Sequence, residues 1–194
     1  MPSPSTLNAF AVASILLLLI PGPAVLYVVN RSVSDGHATG FLAVCGLTLG
    51  NSVHAVAAAV GLSAVLAASA VAFNTVKWLG AGYLIYVGVR ALRTPPAPID
   101  ADQAVMAPRK AFTQGVVVNV LNPKVALFFL SFLPQFIDPS SGRPGLQALV
   151  LGMEFVVIGF CTDSTYSLIA SSLRHVLLRG RTLPFVQRVG RAHV

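Results

Sequence analysis

Charge is scarce in this chain. Asp, Glu, Lys and Arg together make up 10% of its 194 residues, whereas a soluble domain carries about 25%, so a surface wetted on every side is excluded. Cysteine is scarcer still. Cys45 and Cys161 are the two present, without the paired spacing of a disulfide framework or a thiolate site, and no metal is expected. Catalytic signatures are missing as well. The chain has no phosphate loop, no His-Glu-x-x-His helix and no Gly-x-Ser-x-Gly elbow, so nucleotide hydrolysis and the commonest hydrolase chemistries have no support. It is read as a non-enzyme that needs no cofactor. No Lys or Arg precedes the first apolar run and no small-residue cleavage site follows it. That run is therefore expected to stay in the mature protein rather than leave as a secretory signal.

What is abundant is apolar sequence: 55% of residues are hydrophobic and the mean hydropathy is +0.78. The runs fall at Leu7 to Val29, Gly40 to Ser63, Ala67 to Val89, Phe112 to Ile137 and Leu146 to Leu173. Each is long enough to cross about 30 Å of hydrocarbon at about 1.5 Å per residue. They are continuous rather than alternating, which favours helices over a transmembrane barrel. The fold class is an all-α integral membrane protein, a polytopic bundle of five transmembrane helices. The net charge of +7 fits topology better than nucleic acid, because its positions segregate. Arg90, Arg93, Arg109 and Lys110 lie between the third and fourth spans. Arg174, Arg179, Arg181, Arg188 and Arg191 follow the fifth, while Lys77 and Arg143 stand on the other side. The positive-inside rule places the 90–111 loop and the 174–194 tail in the cytoplasm and the N-terminus outside.

The first span is interrupted. "LLLLIPGPAVLYVV", Leu16 to Val29, carries Pro21, Gly22 and Pro23 where each proline removes a helical hydrogen bond. The fourth span carries Asn122, Pro123 and Lys124 in the first helix of the second half. The proline-rich segment Thr94 to Pro108 reads as a tether between the halves. Three helices separate the breaks, so the two broken helices cross in opposite directions, the signature of an inverted repeat with its site near the bilayer midplane. A broken helix in hydrocarbon is tolerated only where protein, polar side chains or a wet cavity satisfies the freed backbone.

The other intramembrane polar residues sort by helical face. In the second span Gly46, Gly50, His54, Ala57 and Gly61 share one side, small enough for close helix approach, in a homo-oligomer as well as within the chain. His54 is open to two readings, a packed hydrogen-bonded residue or a proton carrier. In the fifth span Gly152, Gly159, Asp163 and Ser167 form a similar face with Tyr166 alongside, and Glu154 points about 180° away from Asp163. Ionisable groups at such depth cost about 2.5 to 3.5 kcal/mol each on insertion scales, so each calls for a partner or a role. Lys124 and Asp163 lie at matching depths, counted from the cytoplasmic ends of their helices. They suit either an ion pair or a shared site that meets the two charges of a zwitterion.

With these motifs in view, the chain resembles the LysE/RhtB family of amino-acid exporters. Pro21-Gly22-Pro23, Gly36 and Gly40, "KWLGAGYLIYVG" from Lys77 to Gly88, "NPKVALFFLSFLPQF" from Asn122 to Phe136 and the stretch Asp163 to Tyr166 all fit its pattern. The resemblance implies a single translocator domain over residues 1–194, with a first half at 1–93, a linker at 94–111 and a second half at 112–194. It implies a plasma-membrane efflux carrier for amino acids or small derivatives, coupled to protons. The family has six helices as a 3+3 repeat, and the last would begin near Gly190, four residues before the chain ends at Val194. The second half is then incomplete, and Gly152, Gly159 and Asp163 are expected to face lipid or a second subunit. Two other readings stay open: a membrane thiol-disulfide electron carrier using Cys45 and Cys161, and an inactive remnant.

Overall fold

The computed structural model describes residues 1–68, 106–141 and 143–174 and, between the first two, single positions at Thr75, Trp78, Gly82, Ile85, Tyr86, Val89 and Arg93. The expected third span, most of the linker and the tail beyond Arg174 lie outside the described residues. Six α-helices and no strands occur among the described residues. Helix α1 spans Pro4–Leu19, α2 Pro23–Asp35, α3 His37–Ala68, α4 Pro108–Val120, α5 Pro123–Leu127 and α6 Pro144–Ser172.

Local chemistry sets the ends of these helices. Ser3 caps α1 by accepting from the Thr6 amide at 3.2 Å, and Pro4 occupies the first turn, where its missing N–H costs nothing. Helix α1 stops because Ile20 precedes a proline and takes extended backbone, φ −74° and ψ 116°. Pro23 restarts the chain as α2 with an axis turned by 58°. Gly36 then ends α2 at φ +88°, a conformation that disfavours any side chain. In the second half α4 gives way at Leu121 and Asn122, and Pro123 restarts α5 across a 44° bend. Beyond α5 the ladder widens to a π turn at Phe128–Phe132 and then tightens to a 3₁₀ turn at Leu133–Phe136. Pro134 accounts for the change, since it cannot donate to Leu130 and its ring would clash there.

Helices α3 and α6 are long and apolar enough to cross a membrane, and each bent pair makes one further candidate span. Two of the five expected crossings are matched by single helices among the described residues, and up to four if each bent pair is one span. Helix α3 packs along both α4 and α6. Lipid tails are as apolar as leucine, so close backbone approach and polar contacts hold such helices together. A Cβ on Gly115 would sit 2.7 Å from the Ala43 carbonyl, and one on Gly46 would strike the Phe112 carbonyl. One core cluster lies around Phe10, Phe128, Phe129 and Phe155, with Phe128 and Phe155 centroids 4.9 Å apart.

The small-residue face of α6 departs from expectation. Gly152, Gly159 and Asp163 do not face lipid or a second subunit; all three are buried within this chain. Helix α3 covers the two glycines, with Ala55 against Gly152 and Asn51 against Gly159. The small residues of the second span let α3 come close enough to cover this face.

Candidate functional site

Each proline break frees a particular carbonyl, and the opposite half of the chain satisfies it. Pro23 cannot donate to Leu19 four residues earlier, so the Leu19 carbonyl accepts instead from the Tyr166 hydroxyl of α6 at 3.1 Å. The neighbouring Ile20 carbonyl accepts from Lys124 Nζ, at the start of α5. Pro123 likewise cannot donate to Asn119. That carbonyl accepts from the Asn122 amide at 3.0 Å and pairs with His54 Nε2 of α3, also at 3.0 Å. A carbonyl only accepts, so Nε2 carries the proton. The Asn122 side chain caps α5 by accepting from the Lys124 amide at 3.1 Å. Without such partners each orphaned group would cost several kcal/mol in hydrocarbon.

The two breaks meet at one cavity. Its apolar wall is Leu17, Leu18, Ala24, Val25 and Val125, and its polar wall is Asn51, Asn119, Asn122, Lys124 and Asp163, with Gly22 at the first break. The volume is about 20 Å³, room for one water molecule. Asp163 is 3% exposed, and no hydrogen bond reaches its carboxylate from the described residues. Lys124 spends one donor on Ile20 and does not touch Asp163 in a salt bridge. The site therefore places a lysine and an aspartic acid on the wall of one cavity, with no salt bridge between them among the described residues.

Of the residues singled out from sequence, Gly22, Asn122, Lys124 and Asp163 line this cavity. Pro21, Pro23 and Pro123 make the breaks, and Tyr166 closes the first of them. Gly46 lies against α4 backbone, Gly50 lies 2.7 Å, by its would-be Cβ, from Asn119 Cβ, and Gly159 backs Asn51. His54 stacks on Phe129, centroids 5.9 Å apart, and serves the second break. Cys45 and Cys161 are free thiols, and neither lines the cavity. Glu154 is half-buried on the far side of α6, with its Oε2 unpartnered among the described residues.

Two features escaped the sequence reading. Asn119 Nδ2 donates to the Leu47 carbonyl at 2.6 Å and to Asn51 Oδ1 at 2.7 Å, joining α4 to α3 beside the cavity. The available signal was position: Asn119 stands four residues before Pro123, where a partner is lost. The second feature is a buried ion pair, Arg31 to Asp35 at 2.9 Å, flagged in sequence by opposite charges four apart on a helix. Asp35 Oδ1 also accepts from the Met106 amide at 3.2 Å, and Arg174 donates to the Ser34 carbonyl at 3.0 Å. The end of α2, the start of α4 and the end of α6 are thus tied on one side of the cavity. The Tyr27 hydroxyl, donating to the Ala111 carbonyl at 2.8 Å, reinforces the tie.

A family description, LysE type translocator, matches residues 15–189. An uncharacterized membrane protein of Pseudomonas aeruginosa is 37% identical over 151 residues, 74% of this chain and 69% of that protein. A leucine efflux protein of Salmonella typhimurium is 32% identical over 170 residues, 87% of this chain and 80% of that protein. Another, from Klebsiella pneumoniae, is 31% identical over 154 residues, 78% of this chain and 73% of that protein. No solved structure matches.

Proposed function

The chain belongs to the LysE type translocator family, and from that premise we propose that it exports an amino acid with an aliphatic side chain across the bacterial inner membrane in exchange for protons. The observation that carries this reading is the meeting of both broken helices at one cavity that holds Lys124 and Asp163. A zwitterion needs a cation for its carboxylate and an anion for its ammonium, and Lys124 and Asp163 supply the two. Leu17, Leu18, Val25 and Val125 would take the side chain, consistent with relatives named for leucine efflux.

Asp163 is the proton-coupling group in this reading. It binds the substrate ammonium when ionised and a proton when empty, so one carboxylate serves both cargoes in turn. Lys124, released from the Ile20 carbonyl, would follow the substrate carboxylate. A cavity of about 20 Å³ is far below the roughly 300 Å³ of an open small-molecule site, so transport requires it to widen. The 90–111 loop and the tail lie in the cytoplasm and the N-terminus outside. That orientation puts the Arg31 to Asp35 tie on the cytoplasmic side, where substrate enters.

The test is release of amino acids from cells loaded with a panel of dipeptides, comparing this chain, empty vector and Asp163→Asn. Selective release of aliphatic amino acids, lost in the variant while the protein stays in the membrane, is the expected result. Equal release by the variant would remove the role given to Asp163.

A further inference from the structure

Asn51 is the polar group of the cavity wall to which the charge pair gives no task. It is 2% exposed, sits in α3 and lines the cavity. The hydrogen bonds around it fix which way its amide points. The Leu47 carbonyl can only accept, so the Asn119 atom that meets it at 2.6 Å is the amide nitrogen. That same nitrogen meets Asn51 at 2.7 Å and has a second proton to give. The Asn51 atom facing it is therefore the oxygen, and the Asn51 nitrogen points the other way.

On that other side stands Gly159 of α6, where a Cβ would come within 2.9 Å of Asn51 Nδ2 and 4.0 Å of Leu18 Cδ1. Any larger residue would displace the amide. Among the described residues Asn51 Nδ2 donates to nothing, although its oxygen is engaged and it is almost completely buried. Asn51 lines the cavity, and an amide nitrogen there with protons to give is suited to hold an acceptor group of a ligand.

The geometry points to Asn51 as a substrate-binding residue, whose Nδ2 donates to the carboxylate of the amino acid while Asn119 holds the amide in that orientation. This rests on the exporter reading. The carboxylate is then shared between Lys124 Nζ, which supplies charge, and Asn51 Nδ2, which supplies direction. Asp163 is left to the ammonium. The hydrogen bond selects for a carboxylate over an uncharged amide in the same position.

The experiment uses the full chain purified in detergent, with leucine and leucinamide as probes, because the two differ only in whether a carboxylate is present. Asn51→Asp keeps the size and still accepts from Asn119, but it sets a negative charge against the substrate carboxylate. The preference for leucine over leucinamide should fall about tenfold or more, the size of one hydrogen bond to a charged group. Gly159→Ala reaches the same amide through its crowded neighbour without changing any charge, and its preference should fall in the same direction. A preference within about threefold of wild type in both variants, or an equal loss of affinity for the two probes, overturns the role of Asn51 and leaves the exporter reading standing. Failure of the wild-type chain to bind either probe overturns that reading and this inference with it.

Discussion

Single residues here act mostly by repairing backbone. Tyr166→Phe leaves the Leu19 carbonyl without its 3.1 Å donor in surroundings that offer little water. A loss of about 1 to 3 kcal/mol follows, visible as a lower midpoint in thermal unfolding of the purified protein. An unchanged midpoint would mean that the carbonyl finds another donor. The Arg31 to Asp35 pair is a sharper case. Its side chains are 1% and 0% exposed, so Asp35→Ala strips a deeply buried guanidinium of its carboxylate. Breaking such a pair by removing one partner costs about 3 to 5 kcal/mol, and replacing Asp35 with Asn, which keeps an acceptor, should cost clearly less. Comparing the two midpoints checks the argument; equal losses would show that the acceptor kept by asparagine contributes nothing and that the lost charge carries the whole cost.

At the scale of elements, α3 is the spine against which both halves close. Gly46 and Gly115 let it approach α4 until backbone meets backbone. Gly46→Ala should force those helices apart and lower the unfolding midpoint by more than most single alanine changes on a lipid-facing surface. The turn between α5 and α6 has its own stabilisation outside the membrane span. Asp138 accepts from the hydroxyl and the amide of Ser140, at 2.6 and 2.9 Å, and these bonds hold its carboxyl below the usual carboxylate range. A depressed pKa stabilises the fold above the ordinary carboxylate pKa, and that contribution is lost as pH falls through the lowered value. Asp138→Asn should therefore differ from wild type near neutral pH and converge with it in acid, as read from unfolding midpoints across pH.

The whole molecule shows which parts of its design were legible beforehand. The breaks at Pro21 to Pro23 and at Pro123, and the ionisable Lys124 and Asp163, stood out because prolines and charges are rare inside apolar runs. Asn51 and Asn119 did not, since an asparagine in a helix carries no such alarm and its partner lies about 70 residues away. Arg31 and Asp35 lie beyond the apolar run, which ends at Val29, whereas α2 continues to Asp35. The covering of Gly152 and Gly159 by α3 was not legible either, because helix faces show what can pack but not which neighbour arrives.

Topology can be checked on the whole chain as well. With Cys45 and Cys161 replaced by serine, a single cysteine at Ser140 should react with a membrane-impermeant thiol reagent in intact cells, and one at Arg109 should react only after lysis. The reverse pattern would invert the assigned orientation.

Transport through the cavity between the two breaks is the central claim. Its most direct test is leucine counterflow in proteoliposomes containing the full chain, beside Asp163→Asn and Lys124→Ala at matched protein incorporation. Exchange by wild type that falls to the protein-free background in both variants is the predicted result. Exchange at the wild-type rate with either charge removed would contradict it.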